Sequence, residues 1–74
     1  VKFRLTAKPK EPITVVFEPV AEEFTIPAGD HIIVEWTGDG LGEISLEPDF
    51  MTIGSPMGGD MRAWDSNGVE IRIW

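Results

Sequence analysis

Apolar and polar residues alternate along most of this chain with a period of two, and no helical period persists long enough to compete with it. Val1, Phe3, Leu5 and Ala7 alternate with Lys2, Arg4, Thr6 and Lys8, the pattern of a strand with one face buried. Pro9 and Pro12 interrupt the ladder, and Ile13–Glu18 follows as a second strand that Pro19 stops. A third strand is expected at Glu22–Ile26, and after Pro27-Ala28-Gly29 a fourth at His31–Thr37. The Gly38–Gly42 segment then reads as a mobile hairpin loop leading to Glu43–Glu47. Pro48-Asp49 turns the chain into Phe50–Ile53, and Gly54–Asp60 is irregular. Met61–Asp65 and Val69–Trp74 close the chain as a hairpin. Six to eight short strands in 74 residues predict one all-β domain spanning residues 1–74, a small antiparallel sandwich or partly open barrel.

Two turns allow a register to be assigned. Pro27-Ala28-Gly29 and Ser66-Asn67-Gly68 each suit a three-residue loop, a type I turn followed by glycine in the left-handed region. The first predicts that Ile26 pairs with Asp30 and Phe24 with Ile32, so that Phe24, Ile32, Val34 and Trp36 share the core face. The second pairs Asp65 with Val69 and turns Met61, Ala63, Ile71 and Ile73 inward. Arg62, Trp64, Glu70, Arg72 and Trp74 are left on the opposite face. Arginine and tryptophan are enriched where proteins bind one another, so Arg62, Trp64, Arg72 and Trp74 form the candidate interaction site. A structural reading competes with it: Trp64 turning inward at a bulge and Trp74 capping the end of the domain.

Charge narrows the partners. Residues 11–61 hold eleven of the thirteen carboxylates and no lysine or arginine, while Lys2, Arg4, Lys8 and Lys10 crowd the first ten positions. The formal net charge is −7. Such a surface repels polyanions and attracts basic partners. Nucleic acid is therefore not an expected partner. A membrane is not expected either, because the longest apolar runs, Val15-Val16-Phe17 and Ile32-Ile33-Val34, fall far short of the ~20 residues that cross a bilayer. The expected partner is protein, either a second copy or another chain. Absence of cysteine removes disulfides and fits a reducing compartment, with the cytoplasm favoured.

Catalytic and metal constellations are thin. Phe24–His31 resembles the second cupin motif, a strand, a Pro-x-Gly turn and a histidine ligand, but His31 follows Gly29 one residue early and the first cupin motif is missing. A turn explains the same residues, and His31 is expected on the solvent face beside Thr25. Gly38, Gly40 and Gly42 do not precede a helix that would meet a phosphate, and Asp39 and Glu43 would repel one. Asp65-Ser66-Asn67-Gly68 matches part of a calcium loop without its distal glutamate, so calcium is expected to bind at most weakly to clustered surface carboxylates. One histidine and no cysteine leave nucleophilic catalysis unsupported. The expectation is a non-catalytic interaction module without cofactor or metal, self-associating or docking on another protein. An acidic inhibitor covering a basic surface, a carbohydrate-binding module and a structural component of a larger assembly such as a virion remain open.

Overall fold

The computed structural model describes residues 1–73. It is all-β, with strands β1 (Lys2–Thr6), β2 (Ile13–Glu18), β3 (Glu22–Ile26), β4 (His31–Trp36), β5 (Glu43–Leu46), β6 (Phe50–Gly54), β7 (Met61–Asp65) and β8 (Glu70–Ile71). They form two four-stranded sheets, ordered β1-β4-β7-β8 and β3-β2-β6-β5, packed face to face without closing into a barrel. Trp74 lies outside the described residues.

Alternation places one side of every strand in the space between the sheets. Ala7, Ile32, Val34, Ala63, Ile71 and Ile73 from the first sheet meet Val15, Phe17, Ile26, Met51 and Ile53 from the second. Phe3 extends this core by setting its ring edge-to-face against Trp36, with centroids 5.2 Å apart. Phe24, Ile32, Val34 and Trp36 all reach the core as expected, but they do not share one sheet face, because Phe24 approaches from the opposite sheet.

The turn at 27–29 behaves differently from its expectation. Its local geometry is as read: Gly29 has φ 75°, and the Asp30 amide donates to the Pro27 carbonyl at 3.0 Å. No Ile26–Asp30 or Phe24–Ile32 pairing follows, because β3 pairs with β2 and β4 is taken by β1 and β7. Instead the Gly29 amide donates to the Lys8 carbonyl at 2.8 Å, and the Ala7 amide donates to the Asp30 carbonyl at 2.9 Å. Bonds from the β1–β2 turn thus convert a hairpin loop into a corner between sheets. His31 consequently sits opposite Thr6, not beside Thr25, which pairs with Thr14. The Gly38–Gly42 segment is likewise a crossover between β4 in one sheet and β5 in the other rather than a hairpin loop.

Antiparallel pairing holds everywhere among the described strands except between β2 and β6, which run parallel with Val15 opposite Met51 and Phe17 opposite Ile53. Both strands are central to the second sheet, and they pair in parallel although only one face of that sheet is covered. At the C-terminus the predicted register is observed. Ala63 pairs with Ile71 and Trp64 with Glu70, the Asp65 amide donates to the Val69 carbonyl at 2.9 Å, and Gly68 has φ 82°. The last strand is shorter than expected, ending at Ile71.

Candidate functional site

The outer face of the first sheet is built by β4 lying between β1 and β7. Register puts Arg4, Ile33, Trp64 and Glu70 in one row across the sheet, and Lys2, Glu35 and Arg62 in the next. One step beyond the Ala63–Ile71 pair, Arg72 joins the second row opposite Arg62. All of these residues point away from the core because their strand neighbours point into it. Four of the six lysines and arginines therefore share one face, against two glutamates.

Trp64 is the apolar centre of this face. It is half-buried beside Ile33, with the Arg62 guanidinium carbon 5.0 Å and the Lys2 ammonium 5.8 Å from its ring centroid. Both separations suit a cation over an aromatic face. Arg62 also donates twice to Glu70, from Nε to Oε2 at 3.0 Å and from Nη2 to Oε1 at 2.8 Å. This fork holds Glu70 below the usual carboxylate range and raises Arg62 further. A depression of about 360 Å³ opens between Lys2, His31, Ile33 and Trp64 on one side and the Asp65–Gly68 turn on the other.

Of the predicted site, Arg62 and Arg72 are exposed and Trp64 is half-exposed on the same face; Trp74 lies outside the described residues. Lys2, Arg4 and Ile33 belong to the same surface and were not anticipated there. Their signal in the sequence is faint: Ile33 is the one apolar residue at an outward position of His31–Trp36, and nothing local says that β1 and β7 flank β4.

The outer face of the second sheet carries the opposite charge. Register and alternation direct Glu18, Glu23, Glu43 and Glu47 outward among Thr14, Thr25, Ser45 and Thr52, with no lysine or arginine among the described residues of that face. The Thr14 and Thr25 hydroxyls meet at 3.1 Å. The charge asymmetry along the sequence thus becomes an asymmetry between two faces.

The remaining chemical candidates resolve into turn structure. One Asp65 oxygen accepts from the amides of Asn67 at 2.9 Å and Val69 at 3.0 Å, which commits the calcium-like segment to an Asx turn. Ser66, Asp30 and His31 come close together, and the Ser66 side chain and the His31 amide hold Asp30 below its usual range. A nucleophilic triad needs histidine between the acid and the serine. Here His31 Nδ1 is 3.9 Å from Asp30, and no hydrogen bond joins it to Ser66 among the described residues. No group of three or more His, Cys, Asp or Glu side chains is placed to hold a metal ion among the described residues. No helix is long and apolar enough to cross a membrane among the described residues. Comparison with protein-family models, curated proteins and solved structures finds no match to this chain.

Proposed function

We propose that this protein is a non-catalytic interaction module that docks on a partner protein through the outer face of the β1-β4-β7-β8 sheet. One observation carries the reading: Lys2, Arg4, Arg62 and Arg72 are gathered around Ile33 and Trp64 in a chain that is otherwise strongly acidic. A half-desolvated tryptophan ringed by cations suits a surface that offers carboxylates around an apolar anchor. Arg62 arrives preorganised, since Glu70 fixes its guanidinium plane before any partner is met. Both Lys2 and Arg62 lie over the Trp64 ring, in the space a stacked sugar needs, so protein contact is better supported than carbohydrate binding.

A second reading rests on the opposite sheet. Glu18, Glu23, Glu43 and Glu47 on a face without cations fit an inhibitor that covers a basic surface. One experiment separates the two. A displayed random-peptide library is selected on the intact protein at low salt, and the enriched peptides are then bound to Trp64→Ser and Glu23→Lys variants. The docking face requires acidic peptides with an apolar anchor, lost on Trp64→Ser and weakened by salt. Basic peptides that survive Trp64→Ser and fail on Glu23→Lys would move the function to the acidic face.

A further inference from the structure

Strands β1 and β5 are edge strands, each paired on one side only, β1 with β4 and β5 with β6. The two sheets leave an opening of about 440 Å³ at this side, lined by Leu5 and Thr6 from β1 and by Leu46, Glu47 and Met51 around β5. Sheet edges are usually blunted by charge, brevity or distortion. The edges at the far ends of the two sheets follow that rule: β8 has two residues, and β3 begins with Glu22-Glu23. Strand β5, with four residues headed by Glu43, is blunted only in part, because it leaves an apolar pair uncovered. Ile44 is 43% exposed and Leu46 76% exposed although both point to the inner side of their sheet.

The hydrogen-bond phase of each edge is determined by its existing partner. The Trp36 amide donates to Val1 and the Ala7 amide to Asp30, so odd residues of β1 face β4 and Lys2, Arg4 and Thr6 turn their backbone groups to the open side. The Glu47 amide donates to Phe50, so Glu43 and Ser45 face β6 and Ile44 and Leu46 are the open ones. An antiparallel pair would set open residues directly opposite each other, placing Arg4 against Ile44 and the charged outer side against the apolar inner side. A parallel pair sets Arg4 between Ile44 and Leu46, hence opposite Ser45. Lys2 then meets Glu43, Thr6 meets Glu47, Phe3 meets Ile44 and Leu5 meets Leu46. Every outer residue finds a polar or oppositely charged neighbour, and every inner residue an apolar one.

We propose that two copies of this chain associate edge to edge, β1 of each pairing in parallel with β5 of the other in the register Arg4–Ser45, to make a two-fold dimer with continuous sheets. A two-fold axis running along the strands exchanges upper and lower sheets while keeping strand direction, so both junctions form at once and the interface closes. That symmetry requires Arg4 and Ser45 to lie at one level within a single molecule. Their successors Leu5, Thr6, Leu46 and Glu47 border one opening, which brings the C-terminal ends of β1 and β5 to the same end of the molecule. Like-with-like pairing is disfavoured by charge: β1 on β1 opposes cations, and β5 on β5 opposes Glu43 to Glu47. The chain already contains one such parallel junction, between β2 and β6. This interface shares Lys2 and Arg4 with the docking face but needs none of Ile33, Trp64, Arg62 or Arg72, so the two can be separated by substitution.

The test uses sedimentation and cross-linking of the intact chain, which has no cysteine of its own. Paired strands lie about 4.8 Å apart, within the Cα separation of about 4.4–6.8 Å that a disulfide spans. Mild oxidation of a mixture of the Arg4→Cys and Ser45→Cys proteins should give a covalent heterodimer far faster than a mixture of Arg4→Cys and Ile44→Cys, whose side chains leave opposite faces. Wild-type protein should sediment as a dimer in the micromolar range, and Leu46→Lys, at an exposed position, should sediment as a folded monomer. Glu43→Lys should weaken the dimer, and adding Lys2→Glu should restore it. A monomer at all these concentrations overturns the proposal. So does a dimer that survives Leu46→Lys and is lost on Trp64→Ser, which would place self-association on the docking face.

Discussion

Replacing Gly42 with alanine should destabilise this domain, although Gly42 has no left-handed backbone that would demand glycine. The reason is steric. A Cβ at position 42 would press most closely on Cζ2 of Trp36 and stand 2.7 Å from Cε2 and 2.8 Å from Cη2, whereas carbon atoms in contact prefer about 3.5–4.0 Å. The indole must retreat by roughly 1 Å to accept it. Phe3 lies against that ring edge-to-face, so the retreat spreads into the core. Overpacking of this kind costs about 1–3 kcal/mol. Disturbing the aromatic pair adds up to about 1 kcal/mol. The stiffer unfolded chain returns about 0.4–1 kcal/mol. A net loss of about 1–3 kcal/mol results, a large part of the roughly 4–11 kcal/mol expected for a domain of this length. Gly40 supplies the control, because its Cβ would meet only the Pro56 side chain at 3.6 Å, an ordinary contact. Urea unfolding followed by far-ultraviolet circular dichroism should place Gly42→Ala well below wild type and Gly40→Ala at or slightly above it. Shortening the ring by Trp36→Leu should make the two changes at 36 and 42 less than additive. If Gly42→Ala unfolds at the same urea concentration as Gly40→Ala, the Gly38–Gly42 crossover is not anchored on Trp36 and the steric account is wrong.

Three further outcomes are expected. Ile71→Ser, at a position 8% exposed, should cost about 3 kcal/mol or more in denaturant melts, while Trp64→Ser costs about 1 kcal/mol and leaves a folded domain; equal losses would make the outer face part of the core. Ala21 sits at φ 61°, so Ala21→Gly should raise stability by about 1 kcal/mol, and a drop in the urea midpoint would contradict a strained turn there. Because Arg62 depresses Glu70, the stabilisation from that pair is present above the ordinary value of 4.5 and is lost as pH falls through the lower folded value; Glu70→Gln should therefore show a shallower acid limb than wild type in midpoint-against-pH curves, and an unchanged limb would show that the fork contributes nothing.

Strand positions were legible in the sequence because alternation is a local property: a residue's face is determined by its parity, and Pro9, Pro12, Pro19, Pro27 and Pro48 mark where ladders stop. The C-terminal register was legible for the same reason. Ser66-Asn67-Gly68 supplies the turn, and the strands it joins have no competing partner at that end. The same turn chemistry at Pro27-Ala28-Gly29 predicted a hairpin that did not form, since a turn directs a chain reversal but does not choose the neighbour. That choice came from residues twenty-one positions away and more, where the Lys8 carbonyl captures the Gly29 amide and β1 takes the edge of β4 that β3 would have needed. Long-range pairing also produced the parallel β2–β6 junction and brought Lys2 and Arg4 to Trp64. Parity along each strand already assigns residues to the inner or outer side. Which outward residues come to share a face emerges only on folding, because pleating is dictated by adjacent residues while sheet order depends on how the whole apolar surface is buried.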